Sequence, residues 1–236
     1  MRLALLVCDE PVPQLVQRYG DYPAMFRRFL DAPDVQWRDY DVFRRGELPP
    51  TDDVDAVVIT GSRSSVNDSD GWIGALTDYV GQIKGRVPVV GICFGHQIVV
   101  RACGGAVIPS KDWELGWTEV PLSPDGVSLF KDQTLRIHSA HKEEAQGLPD
   151  GFVSLGRSSG CGIQGMLSSR WKMLTLQGHP EVTSAYIQDL AAYRHERGLI
   201  PDSVYEHVKK TRDRSVDRAV TARVILDFIR GALRSP

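Results

Sequence analysis

A cysteine and a distant histidine–glutamate pair are the residues of this 236-residue chain whose types and spacing could do chemistry. Cys93 lies between Gly91 and Gly95, after a valine-rich run and before a segment with helical patterning. Glycines on both sides of a nucleophile permit a tight strand-to-helix turn that a Cβ atom would obstruct. Unpaired N–H groups at the start of a helix favour a thiolate. The pattern predicts a nucleophile, although most cysteines are simply small buried side chains.

The histidine and the glutamate belong to the motif Gln-Gly-His-Pro-Glu, which follows a strand-like run far downstream. Pro180 restrains His179 to extended conformations, so His179 and Glu181 should project to the same side, about 7 Å apart at the backbone. The carboxylate can then orient the imidazole, and the imidazole can activate a thiol. Together with Cys93, this pair predicts a Cys-His-Glu triad for nucleophilic catalysis.

The two motifs, Gly-Ile-Cys-Phe-Gly-His-Gln and Gln-Gly-His-Pro-Glu, resemble those of the class I glutamine amidotransferase family. The resemblance runs from about residue 1 to residue 182, and it extends to guanylate-synthase-type amidotransferase domains and to stand-alone γ-glutamyl peptidases. It implies that Cys93 is the nucleophile, His179 the general acid and base, and Glu181 the group that orients His179.

The same resemblance implies further site residues. The backbone N–H groups of Gly61 and Phe94 would form the oxyanion hole that the tetrahedral intermediate requires, although the segment around Gly61 could also be a solvated turn. Gln97 matches the last position of the cysteine motif and would contact the γ-glutamyl group; the alternative is a glutamine on a helix surface.

One loop departs from the pattern of the guanylate-synthase type. Many such amidotransferases carry Ser-His-Gly-Asp where this chain has Ala140-His141-Lys142-Glu143. In the family the backbone of this loop helps to hold the α-amino and α-carboxylate groups of glutamine, which makes Ala140 and His141 candidate substrate contacts. Here the glycine is lost, and a cation and an acid lie beside the expected mouth of the site. This puts free glutamine in doubt as the substrate, although charged loop residues are usually only solvated.

Composition limits the class of protein. The chain is 42% hydrophobic and 25% charged with a net charge of −2, which argues against a partner that is a nucleic acid or an anionic membrane. Its four cysteines include no Cys-x-x-Cys pair, so we expect neither a metal site nor a disulfide framework, and no cofactor. The short apolar run at the start indicates a buried strand rather than a signal peptide. A cytoplasmic protein is therefore expected.

The elements that must position these residues alternate between strand and helix. Strands are predicted at 3–7, 35–40 and 54–60 and before Cys93, and helices at 23–30, 72–83, 184–196 and from 202 to about Leu233. This order predicts a three-layer α/β/α fold of the flavodoxin-like type, with a mainly parallel sheet, a small antiparallel patch and C-terminal helices. We expect a catalytic domain at 1–182 and, at 183–236, a helical extension packed on it.

The resemblance implies cleavage of a γ-glutamyl amide through a γ-glutamyl thioester, with release of ammonia or an amine. Release of ammonia from glutamine would require a separate synthetase subunit to accept it, because no synthetase domain follows in this chain. The alternative is a γ-glutamyl peptidase or hydrolase that acts on glutathione-like γ-glutamyl compounds, which the altered loop favours. A second alternative is a catalytically silent binding protein.

Overall fold

A seven-stranded sheet forms the middle layer of the computed structural model, which describes residues 1–231. Its strands lie in the order β2-β1-β3-β4-β9-β8-β7. All neighbours from β2 to β9 are parallel, whereas β8 runs antiparallel to both β9 and β7. A separate antiparallel pair joins β5 and β6. The nine strands are β1 (Arg2–Val7), β2 (Gln36–Asp41), β3 (Ala56–Ile59), β4 (Val89–Ile92), β5 (Ala106–Pro121), β6 (Thr134–Gln146), β7 (Val153–Gly156), β8 (Gly165–Ser168) and β9 (Met173–Leu176) within the described residues.

Helices cover both faces of this sheet. Over residues 1–231 they are α1 (Pro13–Tyr19), α2 (Tyr22–Phe29), α3 (Val42–Arg45), α4 (Gly71–Ile83), α5 (Phe94–Ala102), α6 (Pro124–Phe130), α7 (Ser184–Glu196), α8 (Asp202–Thr211) and α9 (Arg218–Ile229). Side chains of α4 and α5 form the core on one face, and those of α2, α7 and α9 contribute to the core on the other. The predicted α/β class with a mainly parallel sheet and an antiparallel patch is confirmed.

The central strands β3 and β4 are short and apolar along their whole length. Every residue of Ala56–Ile59 and of Val89–Ile92 is buried. Parallel strands covered by helices on both sides have this continuous apolar character, because neither face meets water. Both strands end at the same edge of the sheet, where Gly61 and Cys93 follow them. This edge is where the candidate catalytic residues are expected to meet.

The hairpin of β5 and β6 is long and lies outside the main sheet. β5 spans 16 residues and β6 spans 13, with a register shift between Pro109 and Glu114. The polar stretch at 110–112 interrupts the apolar alternation of β5 at this shift. The hairpin packs against α7 and α8 rather than joining the main sheet.

The C-terminal region is made of separate helices. The expected helix at 184–196 matches α7, whose N-cap residue Thr183 accepts a hydrogen bond from the backbone N–H of Tyr186 at 3.2 Å. The helix expected from Asp202 is divided into α8 and α9; its expected end near Leu233 lies outside the described residues. Asp217 begins α9 and accepts a hydrogen bond from the backbone N–H of Arg136 at 2.8 Å, which ties the break to β6.

The apolar stripe of α9 faces the protein interior. Val224, Phe228 and Ile229 are buried in the same core cluster as β4, and Val220 packs against them. The division into a catalytic domain and a helical extension stays a prediction. Among residues 1–231, no helix is both long and apolar enough to span a lipid bilayer.

Candidate active site

Cys93 lies at the sharp turn between β4 and α5. Its φ of 53° and ψ of −102° are unusual for a residue with a side chain, and such a conformation costs about 1–3 kcal/mol unless the surroundings enforce it. They do so here. A Cβ atom on Gly91 would lie 2.4 Å from the carbonyl oxygen of Gly95, and one on Gly95 would lie 2.5 Å from the carbonyl oxygen of Ile59. Both glycines are therefore required for close backbone approach, as the sequence predicted.

His179 and Glu181 follow the end of β9, the strand next to β4. Nδ1 of His179 lies 2.7 Å from Oε1 of Glu181, and the backbone N–H of His179 donates to the carbonyl oxygen of His138 at 2.7 Å. Both side chains are buried. Because Nδ1 is used by Glu181, Nε2 is the nitrogen left to exchange a proton with Cys93. The structure thus brings the three predicted catalytic residues together.

The charge state of His179 follows from its two neighbours. Burial by itself would lower the pKa of His179, but the negative charges of Cys93 and Glu181, together with hydrogen bonds to both, raise it well above its usual value. Two other buried histidines behave in the opposite way: burial lowers the pKa of His96 to about 3 and that of His138 to about 4. His179 is thus the member of this group that is suited to hold a proton.

The raised pKa of His179 can be measured by NMR titration of its imidazole. In the wild-type protein its midpoint should lie above about 6.5, the usual histidine value. In Cys93→Ala and in Glu181→Gln it should fall, because each substitution removes a negative charge that favours the imidazolium while burial remains. Cys103→Ala, at the end of α5, is the control and should leave the midpoint unchanged. A wild-type midpoint below about 6.5 would contradict the charge arrangement.

Gly61 directly adjoins the triad. A Cβ atom on Gly61 would lie 2.8 Å from Cε1 of His179 and 3.7 Å from Cβ of Cys93. The hydroxyl of Thr60 donates to the carbonyl oxygen of Gly61 at 2.9 Å, which fixes the peptide that follows. Phe94 is the first residue of α5, so its N–H has no partner within the helix. Both predicted oxyanion donors thus lie beside Cys93; their role stays a prediction.

A pair of buried glutamines lies beside the thiol. Nε2 of Gln97 donates to Oε1 of Gln177 at 3.3 Å and to the carbonyl oxygen of Glu143 at 3.2 Å. Nε2 of Gln177 in turn lies 3.7 Å from Sγ of Cys93. Gln97 is therefore not a helix-surface residue, and its contact with the γ-glutamyl group stays a prediction. The contact of Gln177 was missed, although its spacing of two from His179 was a signal that both side chains share one side of the extended chain.

The segment 140–143, expected from the sequence to be a loop, lies within strand β6 and pairs with β5. Both ring nitrogens of His141 are in use, Nε2 with Oε2 of Glu114 at 2.9 Å and Nδ1 with the carbonyl oxygen of Glu143 at 3.1 Å. A substrate contact of His141 would therefore use its backbone. Ala140 lines the same small cleft as His179, and Lys142 is exposed. The carboxylate of Glu143 accepts a hydrogen bond from the hydroxyl of Ser65 at 2.6 Å, which ties this part of β6 to the loop after β3.

Glu114 of β5 accepts hydrogen bonds from several side chains around the hairpin of β5 and β6. Besides His141, it accepts hydrogen bonds from the side chains of Ser158 and Gln164. Burial opposes ionisation of this carboxyl group, but these hydrogen bonds and the charge of His141 hold its pKa below the usual value. Glu114 is thus a structural anion. No group of His, Cys, Asp and Glu side chains suited to a metal ion occurs within residues 1–231.

The similarity of this chain to known proteins extends over most of its length. Residues 30–189 match the model of the class-I glutamine amidotransferases, so the chain belongs to this family. It is 29% identical over 243 residues to a glutamine amidotransferase-like protein of Schizosaccharomyces pombe, covering 96% of this chain and 98% of that protein.

Other relatives have more specific names. The chain is 29% identical to gamma-glutamyl peptidase 4 of Arabidopsis thaliana, covering 90% of this chain and 88% of that one. It is 31% identical to a subunit of the glutamine-hydrolysing GMP synthase of Saccharolobus solfataricus, over 54% of this chain and 68% of that polypeptide. Its fold is similar to a glutamine amidotransferase of Thermotoga maritima, with a TM-score of 0.73, 19% identity and coverage of 96% and 97%.

Proposed function

We propose that this chain cleaves a γ-glutamyl amide through a covalent γ-glutamyl thioester on Cys93. The observation that carries the proposal is the elbow conformation of Cys93 beside a histidine whose other nitrogen is bound by a buried carboxylate. Acyl-transfer catalysis generally uses this arrangement, in which a nucleophile lies next to a base and the base is oriented by a third group. The membership in the amidotransferase family supports the γ-glutamyl group as the acyl part.

Each residue of the site has its own part in the reaction. The Cys93 thiolate attacks the γ-carbonyl carbon, and the N–H groups of Gly61 and Phe94 bind the oxyanion that forms. The intermediate collapses when His179 gives its proton to the departing nitrogen, so that the C–N bond breaks and a thioester remains. Water then attacks the thioester, His179 accepts a proton from it, and glutamate and the thiolate are released. Glu181 keeps Nδ1 protonated and Nε2 in place throughout.

The leaving group separates two versions of this activity. The similarity to one component of a GMP synthase favours ammonia, which would pass to a separate synthetase subunit. The similarity to a gamma-glutamyl peptidase extends over more of the chain and favours an amino acid or a peptide. The departure from the guanylate-synthase pattern at His141 and Glu143, which lie in β6 and are held by hydrogen bonds within the protein, also supports this second version.

The test is glutamate release by the purified protein from glutamine, from glutathione and from a γ-glutamyl dipeptide, each with Cys93→Ala in parallel. We expect Cys93-dependent release from the γ-glutamyl peptides that exceeds release from glutamine. Release from glutamine alone would instead indicate an ammonia donor and direct the search to a synthetase partner. Absence of Cys93-dependent release from every donor would contradict the proposed activity and leave a binding protein.

A further inference from the structure

A small cleft beside His179 is walled by two arginines. Arg63 follows the Gly61 turn, and Arg194 comes from the last turn of α7. The other lining residues are Tyr22, Ser62, Ala140, His179, Val182, Tyr186, Ile187 and Leu190. The cleft has a volume of about 30 Å³, above the roughly 10–15 Å³ of cavity volume that one water molecule needs. Only a small terminal group of a ligand fits such a space, and the two guanidinium groups select for an anionic one.

Arg194 has a buried donor that nothing in the protein uses. Its Nη1 is inaccessible to solvent and has no hydrogen-bond partner among residues 1–231. The guanidinium lies 4.9 Å from the centroid of the Trp113 ring, a contact that holds the group in place but accepts no hydrogen bond. Burial lowers the pKa of Arg194, and the nearby charge of Arg63 lowers it further. An arginine nevertheless stays charged, and leaving such a group buried and unpaired is unfavourable.

The guanidinium of Arg63, in contrast, is held by an ion pair with Asp9. Its Nε and Nη2 donate to the two oxygens of Asp9 at 2.8 and 2.7 Å, and Asp9 is buried. This pair leaves Nη1 of Arg63 uncommitted. Asp9 pairs with Arg63 and makes no hydrogen bond to Arg194, so the guanidinium of Arg194 is the group that a ligand carboxylate could pair with.

The position of the cleft identifies which part of a substrate would enter it. His179 must reach the departing nitrogen to protonate it, so the leaving group lies on the His179 side of Cys93. The cleft is on that side, since His179 is part of its wall. We propose that Arg194, assisted by Arg63, binds the carboxylate of the leaving group, so that the donor is a γ-glutamyl amino acid or peptide rather than glutamine. This inference rests on the proposed γ-glutamyl cleavage, since it assigns the substrate class of the same site.

Two matched donors test it. γ-Glutamylglycine has a leaving group with a carboxylate, whereas the leaving group of γ-glutamylethylamide has the same N–C–C backbone without the carboxylate oxygens. In Arg194→Gln, kcat/KM for γ-glutamylglycine should fall about 10- to 100-fold, the range expected when a hydrogen-bonded charge pair is lost. The value for γ-glutamylethylamide should stay within about twofold, because that donor makes no such pair. Arg194→Lys should lie between wild type and Arg194→Gln, and Arg197→Gln, an exposed arginine just after α7, should match wild type.

Binding gives a second measurement that does not depend on turnover. Calorimetric affinity of Cys93→Ala for γ-glutamylglycine should fall by a similar factor when Arg194→Gln is added, and the thermal midpoints of the two proteins show whether both are folded. Equal losses for both donors would overturn the inference, because Arg194 would then serve the γ-glutamyl part or the fold. Unchanged kinetics would overturn it as well.

A different experimental result would contradict the proposed function itself. If no donor is cleaved in a Cys93-dependent manner, the γ-glutamyl cleavage itself is wrong, and the assignment of the cleft falls with it. If glutamine and γ-glutamylethylamide are cleaved as fast as γ-glutamylglycine by the wild-type protein, the proposed cleavage stands and only the carboxylate site is overturned.

Discussion

Cys93→Ala should abolish glutamate release from every γ-glutamyl donor while the protein remains folded. Removal of the nucleophile from a catalytic triad lowers kcat by several orders of magnitude, so a loss of at least about 1,000-fold is expected. Alanine has the same Cβ as cysteine, so the backbone at φ 53° is no more strained after the change. Release is measured with the dipeptide donor, and the fold by circular dichroism.

The matched control for this experiment lies on the same helix. Cys103 follows the last residue of α5 and is half-buried, and Cys103→Ala should keep wild-type activity. Mass spectrometry of the protein mixed with donor should find the γ-glutamyl adduct on Cys93 and not on Cys103. Residual activity of Cys93→Ala above a tenth of wild type would remove Cys93 from the mechanism.

Gly95→Ala should strongly destabilise the protein. The added Cβ would lie 2.5 Å from the carbonyl oxygen of Ile59 and 2.9 Å from its Cβ, so α5 would have to move away from β3. Since overpacking that forces backbone shifts costs about 1–3 kcal/mol or more, we expect a loss of about 3 kcal/mol in the free energy of unfolding, measured by urea denaturation.

A second glycine provides the comparison for this change. Gly74 lies in the exposed part of α4, and a Cβ there would have no neighbour within 4 Å. Gly74→Ala should therefore stabilise the protein by about 0.4–1 kcal/mol, because alanine favours the helix and restricts the unfolded chain. If Gly95→Ala unfolds at the same urea concentration as wild type, α5 does not pack against β3 as described.

Much of the fold could be predicted because short stretches of sequence indicate its central strands and the start of one helix. The apolar runs at Ala56–Ile59 and Val89–Ile92 are typical of buried parallel strands, and the cap residue Thr183 fixes the start of α7. Three helices, α1, α3 and α6, were missed: α3 is a single short turn of four residues, and α1 and α6 each begin with a proline, Pro13 or Pro124, in a segment that otherwise resembles a loop. Proline at the first helical position is favourable, since its missing N–H is not needed there.

In the candidate site, too, some features could be predicted from the sequence and others could not. The grouping of Cys93, His179 and Glu181 could be predicted because these residues stand in short motifs; their catalytic roles stay a prediction. The position of Arg63 across the cleft from Arg194 could not be predicted, because α7 lies next to the turn at Gly61 only in the folded chain. The hydrogen bonds of Gln177 and Glu114 join residues far apart in sequence and depend on the packing of β9 and of the long hairpin.

The turn at Cys93 also has a cost in stability. A backbone held at φ 53° costs about 1–3 kcal/mol, a sizeable share of the roughly 5–15 kcal/mol that keeps a typical domain folded. Substitutions that relax this turn should therefore stabilise the fold, but they would also move the side chain of residue 93 away from His179. At this position the stability of the fold and the geometry of the candidate site oppose each other.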